Sequence, residues 1–535
     1  MLFKKRASYL SGLLLTLPLV AATNAATSLD LRPLLEQLPQ HCAPLPTNLD
    51  DNARQQLRDF YAQRENQPAW ADASRRQQLA AQLAALADDG LEPDEYALPA
   101  YDGPCSELLH SHSYLQALLH LRRGRLPPPR QESLWHSPAN PLPDLRLATL
   151  SLALLHLQAP AEAFAAARPA GIAYRRLRAA YAELRQRPLA DWQPLADGPL
   201  LKAQRRDARV PALRERLRAE GYLSVTTVAG EAFDPATVLA LQAFQDDHGL
   251  NPDGILGPAS LAELNVAAPM RRAQLRINLE RLRWLADDLA ATEVLINVAA
   301  AELLVLRQQR VLWRTRTQVG RAGRETPLLA SRIQRLTLNP TWTVPPTILR
   351  EDKLPAIRDD LAYLAQQELS VLDRDGQPLD PELVDWDNPG AIVLRQAAGT
   401  RNPLGRVALR FANPFAVYLH DTPSQRLFDK SPRVFSSGCV RVEAVGTLLA
   451  WLLRPQELEP VQQRIASGKT QEYRLQQPVP LLIAYWTVEA RSDGTLRYAP
   501  DIYARDAQLI AALARAQGLS AASQPDMQRA IAAGQ

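Results

Sequence analysis

Cysteine and histidine are scarce where they would be most noticed. The 535 residues hold three cysteines, Cys42, Cys105 and Cys439. From Gly249 to the C-terminus there is one cysteine, Cys439, and one histidine, His420. A surplus of one charge sign is also missing. The formal charge is +4, and Lys4, Lys5 and Arg6 at the extreme N-terminus account for three of those charges. The balance gives no electrostatic case for a nucleic-acid partner. Beyond the first residues no apolar run is long enough for a transmembrane helix. No metal set is apparent either. His110, His112 and His120 are closely spaced but have no matching cysteines or carboxylates, so they read as solvated or core-satisfied histidines.

What is present is globular. Hydrophobic residues make up 46% and charged residues 22%, and this length predicts three or four domains. Lys4-Lys5-Arg6, the apolar stretch Leu10–Ala22 and the small residues Thr23-Asn24-Ala25-Ala26 form an export signal, cleaved near Ala25 or Ala26 or else kept as an N-terminal anchor. No lipid-anchor cysteine follows it. Export makes the cysteines informative, because paired thiols become disulfides in an oxidising compartment. Cys42 and Cys105 share one region and are the natural pair. Cys439 is then the odd thiol, and its retention suggests use.

Residues 28 to about 200 read as helical, with Arg75–Ala87 and Leu145–Leu157 as clear examples and Leu126-Pro127-Pro128-Pro129 as a rigid break. Val210–Asn265 reads as three short helices. Leu213 and Leu217 mark the first. Asp234-Pro235 caps the second, lined by Val238, Leu241 and Phe244, and Gly257-Pro258 opens the third, with Leu261 and Leu264. His248 falls at a helix end. With Phe244-Gln245, Gly249-Leu250 and the turn Asp253-Gly254, this unit resembles the type 1 peptidoglycan-binding domain.

Arg271–Trp284 is predicted as an amphipathic helix, with Leu275, Leu279, Leu282 and Leu285 on one side. The period then changes. Val294–Ala299, Leu303–Arg307 and Val311–Val319 read as strands, turning at Gln308-Gln309. An insertion over 349–392 interrupts them, with a charged helix (Arg350–Gln366), a strand at Leu369–Leu372 and a turn at Asp375-Gly376. Strands resume at Val393–Gln396, Val407–Phe411 and Ala416–His420. Glu443–Leu453 reads as a helix, Val479–Val488 as a strand, and the alanine-rich tail from Asp506 as a solvated or fraying helix.

The chemistry concentrates in Tyr418-Leu419-His420-Asp421-Thr422-Pro423 and Ser436-Ser437-Gly438-Cys439-Val440-Arg441-Val442. A neighbouring imidazole or a helix N-terminus lowers a thiol pKa from roughly 8.5 by one to several units. His420 and the helix expected near Glu443 are the candidates for that role. Amides around Gly438 and Cys439 are positioned to hold an oxyanion, an effect of about 3 kcal/mol per donor. Arg441 is suited to a bidentate carboxylate contact. These residues alone indicate acyl transfer through a thioester.

The two motifs resemble the active site of the L,D-transpeptidases (YkuD-type catalytic domain). They are most similar to the large Gram-negative members that carry a scaffold domain and a peptidoglycan-binding domain. Val319-Gly320-Arg321 with Thr326-Pro327, Asn339-Pro340 with Trp342, Val344-Pro345-Pro346, Arg395-Gln396, and Asn402 with Leu404-Gly405 extend the likeness. One departure is Ser437, where most of the wider family has histidine; the large subgroup uses serine as well.

The resemblance implies a multidomain α+β chain. It would comprise a signal peptide (1–26), a helical scaffold domain (27–205), a peptidoglycan-binding domain (206–266), a mostly-β catalytic domain (267–505) capped by 349–392, and a tail (506–535). It implies Cys439 as nucleophile and His420 as general base, with Ser437, Gly438, Arg441, Tyr418, Trp342 and Asn339 around the oxyanion and substrate. The expected partner is peptidoglycan stem peptides, with peptidoglycan synthases as suppliers of substrate. Neither metal nor organic cofactor is expected, nor a membrane contact beyond the N-terminal segment. The place of action would be the periplasm, with carbapenems as acylating inhibitors. The same residues also suit an L,D-carboxypeptidase or endopeptidase, or a non-catalytic wall-binding scaffold.

Overall fold

The computed structural model describes residues 31–516 apart from 39–41, 43–45, 47, 138–143, 189–192 and 225–229. The expected signal segment lies outside the described residues. No described helix is long and apolar enough to cross a membrane.

The N-terminal region is helical. Asp50, Asp72 and Asp144 precede the helices Asp51–Ala62, Ala73–Ala84 and Leu145–Leu155, and each side chain accepts a first-turn backbone N–H. These helices surround Pro104–Arg123, which is buried along most of its length. All three of its clustered histidines are satisfied there: His110 on the Ser106 carbonyl (2.7 Å), His112 on Asn48 Oδ1 (3.0 Å), and His120 on the Tyr96 hydroxyl (2.7 Å). Among the described residues no cluster could hold a metal ion.

Cys42 is disulfide-bonded to Cys105, 63 positions away. Closing a loop of that length is worth about 4 kcal/mol by chain entropy. Replacing both cysteines with serine should therefore lower the scaffold's transition in a thermal melt. An unmoved transition would show that packing alone holds this corner.

The second unit is the expected three helices, Val210–Ala219, Pro235–Asp247 and Pro258–Leu264, around Leu213, Leu217, Leu241 and Phe244. His248 caps the middle helix and docks the unit. Its ring is stacked between Phe244 (3.8 Å) and Tyr498 (4.9 Å), and Ser431 Oγ donates to the Gly249 carbonyl at 2.6 Å.

The helix Ala268–Trp284 was expected to expose one face, but both are covered. Its leucines meet Tyr174, Leu177 and Tyr181. On the other side the buried Arg281 is held by Glu132 (2.7 Å) and Asp506 (2.5 Å). Asp506 opens the helix Asp506–Ala516, whose Leu509, Ile510 and Leu513 pack against Ile277. The expected solvated tail is thus, as far as Ala516, a packed element. Its leucines and isoleucine find a surface that local sequence does not show.

The catalytic region is built on strands β1 (Trp135–His136), β2 (Val294–Asn297), β3 (Glu302–Arg307), β4 (Arg310–Gln318) and β5 (Leu329–Leu338). There follow β6 (Trp342–Thr343), β7 (Leu369–Leu372), β8 (Val393–Gln396), β9 (Val407–Phe411) and β10 (Leu419–His420). Last come β11 (Val440–Val442), β12 (Gln471–Ala484), β13 (Val488–Ala490) and β14 (Leu496–Tyr498). The main sheet runs β1-β5-β12-β2-β3-β4-β11-β10-β9, and β5 also pairs with β9. The sheet therefore returns on itself around a core that includes Ile296, Leu336, Leu409, Leu419 and Val440. Gln308 and Gln309 turn β3 into β4 with positive φ, as the spacing predicts.

Three expectations are corrected. β5 was not anticipated, although it bridges β12 and β9; a register shift between Ile333 and Arg335 breaks its alternation. The strand expected over Val479–Val488 starts instead at Gln471, is irregular around Pro478, and ends at Ala484. β8 belongs not to the main sheet but to a separate sheet, β6-β8-β7. The small core around the expected cap 349–392, of Val344, Ile357, Leu364, Val371 and Leu394, takes in residues beyond both of its ends. The cap's expected single helix is a π-helical turn, Leu349–Lys353, that continues as Leu354–Asp359, then a break and a second short helix, Ala362–Gln366.

Candidate functional site

Two short strands bring the scarce histidine and cysteine together. β10 and β11 are parallel, with Leu419 opposite Val440 and His420 opposite Arg441. One step back in that register, Tyr418 lies beside Cys439, where its carbonyl accepts the Val440 N–H at 3.1 Å. Leu419, Val440 and Val442 point into the core. Alternation then places Tyr418, His420, Cys439 and Arg441 together on the other face.

His420 is 4% exposed. Its Nδ1 is 2.6 Å from the Asp421 carbonyl oxygen. A carbonyl only accepts, so Nδ1 carries the proton and Nε2 the lone pair. Burial, and then the charge of Arg441, lower the imidazole pKa to about 3. The ring is therefore neutral at neutral pH and presents a base.

Cys439 is half-buried and free. Burial pushes its thiol up, and Tyr418 together with the charges of Arg410 and Arg441 pulls it partly back. The expected help from a helix N-terminus does not materialise. Val440–Val442 pairs with β10 and β4 as a strand, and the helix starts only at Val445. The resting pair is thus a thiol and a neutral imidazole, and proton transfer has to accompany attack.

The turn before Cys439 is held by its own polar groups. Ser436 Oγ donates to the Cys439 carbonyl (2.5 Å) and accepts the Gly438 N–H (3.2 Å). Gly438 has φ 110°, a conformation that side chains resist. Thr326 Oγ1 donates to the Gly438 carbonyl (3.0 Å) and accepts the Gly320 N–H (2.9 Å). A Cβ at Gly320 would collide with the Arg324 carbonyl. The Gly438 amide is therefore already engaged. The Cys439 N–H, with no protein acceptor among the described residues, remains for an oxyanion.

Arg441 donates to Gln318 Oε1 at 3.0 Å, while its Nε is buried and without a partner. Among the described residues it has no carboxylate partner, and it suits one from a substrate. The Tyr418 ring lies 5.6 Å from that of His420, and the Arg410 guanidinium stacks over it at 4.0 Å. Burial pushes the Tyr418 phenol up to about 12.

The other expected contacts are placed differently. Asn339 is buried, and its Nδ2 donates to the carbonyls of Ile465 (3.0 Å) and Lys469 (3.2 Å). It ties the end of β5 to the helix Pro455–Ala466 and has no amide to spare for substrate. Trp342 is paired with Gln396 in the cap's sheet, with Lys353 Nζ 5.6 Å over its ring. Ser437 is exposed and accepts from Arg324 at 3.0 Å. Arg324 also pairs with Glu351 and Asp352 of the cap, each at 2.6 Å, so one side chain ties the cap to the loop beside Cys439. Sequence reading missed Arg324 and Arg410. Arg410 was detectable as the polar position in Val407–Phe411, but only the register sets it over Tyr418.

Comparison with known proteins agrees with this geometry. Residues 291–473 match the YkuD family, the L,D-transpeptidase catalytic domain. Residues 55–180 match a scaffold domain, and 206–264 a "Putative peptidoglycan binding domain". A "Putative L,D-transpeptidase" of Haemophilus influenzae is 32% identical over 241 residues, 44% of this chain and 48% of that relative. The chain thus spans about half the length of the curated relative it matches. Two solved L,D-transpeptidases, from Xylanimonas cellulosilytica and Stackebrandtia nassauensis, are 16% and 14% identical. They are matched over 100% and 96% of their lengths and over 56% and 54% of this chain, with TM-scores of 0.17 and 0.21, too low to bear on the fold.

Proposed function

We propose that this chain, whose catalytic domain is of the YkuD L,D-transpeptidase family and stands beside a scaffold and a peptidoglycan-binding domain, forms 3→3 cross-links between stem peptides through a thioester on Cys439. The observation that carries this reading is the shared face of β10 and β11. There an unprotonated imidazole nitrogen, a free thiol and an arginine without a carboxylate partner stand side by side.

In the first half-reaction Cys439 Sγ attacks the carbonyl between the third residue, diaminopimelate, and the terminal D-Ala of a donor tetrapeptide. His420 Nε2 takes the thiol proton as the C–S bond forms, and returns it to the nitrogen of D-Ala as the C–N bond breaks. The Cys439 N–H donates to the developing oxyanion. Arg441 holds the D-Ala carboxylate. In the second half-reaction the side-chain amine of an acceptor diaminopimelate attacks the thioester, its proton passes to His420, and the thiol is restored. The cap, tied through Arg324 to Ser437, keeps water from the thioester. The enzyme works at the cell wall, reached by export through the N-terminal segment.

Incubation with tetrapeptide-rich peptidoglycan should release D-Ala and produce 3→3 dimers. Tripeptides without dimers would instead make it an L,D-carboxypeptidase. No product from a folded chain would leave only wall binding.

A further inference from the structure

The register that builds the site continues away from it. In β12, β5 and β9, Arg474 is opposite Arg335 and Arg335 is opposite Arg410. Arg410 stacks on Tyr418, which neighbours Cys439. Direct cross-strand neighbours share a face. The three arginines therefore form one row on the outer face, ending at the nucleophile. Four strand spacings separate Arg474 from Cys439, about 19 Å.

A cavity of about 500 Å³ lies along the row, lined by Arg335, Arg410, Arg474, Gln334 and Glu472 among others. One carboxylate answers three guanidinium groups. Glu472 is 3.8 Å from Arg335 and accepts from Thr337 Oγ1 at 2.7 Å. Arg410 donates to Thr337 Oγ1 at 3.2 Å. Among the described residues neither Arg410 nor Arg474 has an ion-pair partner. Arg335 and Arg474 are exposed. The cap is tied to the loop before Cys439 through Arg324 and Ser437.

We propose that this arginine row is the subsite for the acceptor stem peptide, binding its carboxylates while its amine reaches the thioester on Cys439. The inference rests on the transpeptidase reading above. Two substrates must approach a thioester from different sides. The capped side suits the donor, whose acyl group must be shielded from water. The open, cationic side suits a second peptide that enters after acylation and carries several carboxylates. Guanidinium groups recognise carboxylates by paired, charge-assisted hydrogen bonds. Spaced one strand apart, they match carboxylates spread along an extended peptide.

The test uses the full chain with a donor tetrapeptide, and L-Ala-γ-D-Glu-diaminopimelate tripeptide as acceptor. In the double variant Arg335→Glu/Arg474→Glu, the acceptor KM should rise about tenfold, with D-Ala release in the absence of acceptor staying within about twofold. The native chain given an acceptor with amidated carboxylates should show the same rise in KM. Arg335→Lys/Arg474→Lys should recover most of the loss, because charge is kept. An unchanged acceptor KM would overturn the proposal. So would an equal fall in both half-reactions, which would assign the row to the donor. If the double variant sediments less with intact peptidoglycan while its acceptor KM is unchanged, the row is a wall-binding patch. If the native chain releases D-Ala and forms no dimers with any acceptor, the transpeptidase reading fails, and not merely the assignment of this row.

Discussion

Cys439→Ala should reduce both D-Ala release and dimer formation to background, a loss of at least about 10³-fold, since no other group on the shared face can form the acyl bond. His420, Tyr418 and Arg441 are incapable of substituting. The first is neutral and low in basicity, the second is held protonated by burial, and the third is a cation. Cys439→Ser tests the same point while keeping nearly the same volume. Burial already disfavours the thiolate, and it would disfavour an alkoxide far more. Both variants should keep the native thermal transitions. Cys439 only borders the main core. Residual turnover above background in the alanine variant would require a different nucleophile.

The second large effect concerns His420. Its Nε2 has to collect a proton from a thiol that burial keeps neutral, so His420→Gln should lower kcat/KM by about 10²- to 10⁴-fold. The pH dependence makes the role specific. The neutral imidazole is the working form, and protonation removes it. With a pKa of about 3, His420 stays neutral through the mildly acidic range. The acid limb of kcat/KM should therefore lie below pH 5. An ordinary, solvated histidine would place it near 6.5. An acid limb between pH 6 and 7 that disappears in His420→Gln would mean that the ring is hydrated in the working enzyme. It would also mean that a thiolate–imidazolium pair replaces the neutral one.

That His420 and Cys439 belong together was legible because the two residues are scarce. One histidine and one cysteine in a long C-terminal region leave few arrangements, and Gly438 and Ser436 announce a tight turn between them. The meander β2–β3–β4 was legible too, β2 and β3 as buried apolar runs and β4 as a strand that follows the turn at Gln308-Gln309. Other features depend on contacts that sequence does not carry. β5 hides behind its register shift, and β12 behind Pro478 and Pro480. β8 has a strand's composition, but its partners, β6 and β7, are fixed only by tertiary register.

Two chemical readings changed for the same reason. The helix expected near Glu443 starts at Val445, and β4 and β10 hold Val440–Val442 between it and Cys439 as a strand, which sets the helix N-terminus apart from the thiol. Asn339 looked like a cleft residue, yet β5 ends against the helix Pro455–Ala466, whose carbonyls take its amide. The arginine row shows the converse. Arg335, Arg410 and Arg474 look unremarkable one at a time, and only the pairing of β12, β5 and β9 aligns them.

The central claim is that Cys439 carries the acyl group. It is tested most directly by intact-protein mass spectrometry of the native chain mixed with a donor tetrapeptide and no acceptor. The account predicts a mass increase equal to the tetrapeptide minus D-Ala, mapped to Cys439, discharged by an added amine and absent from Cys439→Ala. A meropenem adduct at the same sulfur should accompany it. D-Ala release with no adduct at any time point, or an adduct that persists in Cys439→Ala, would contradict it.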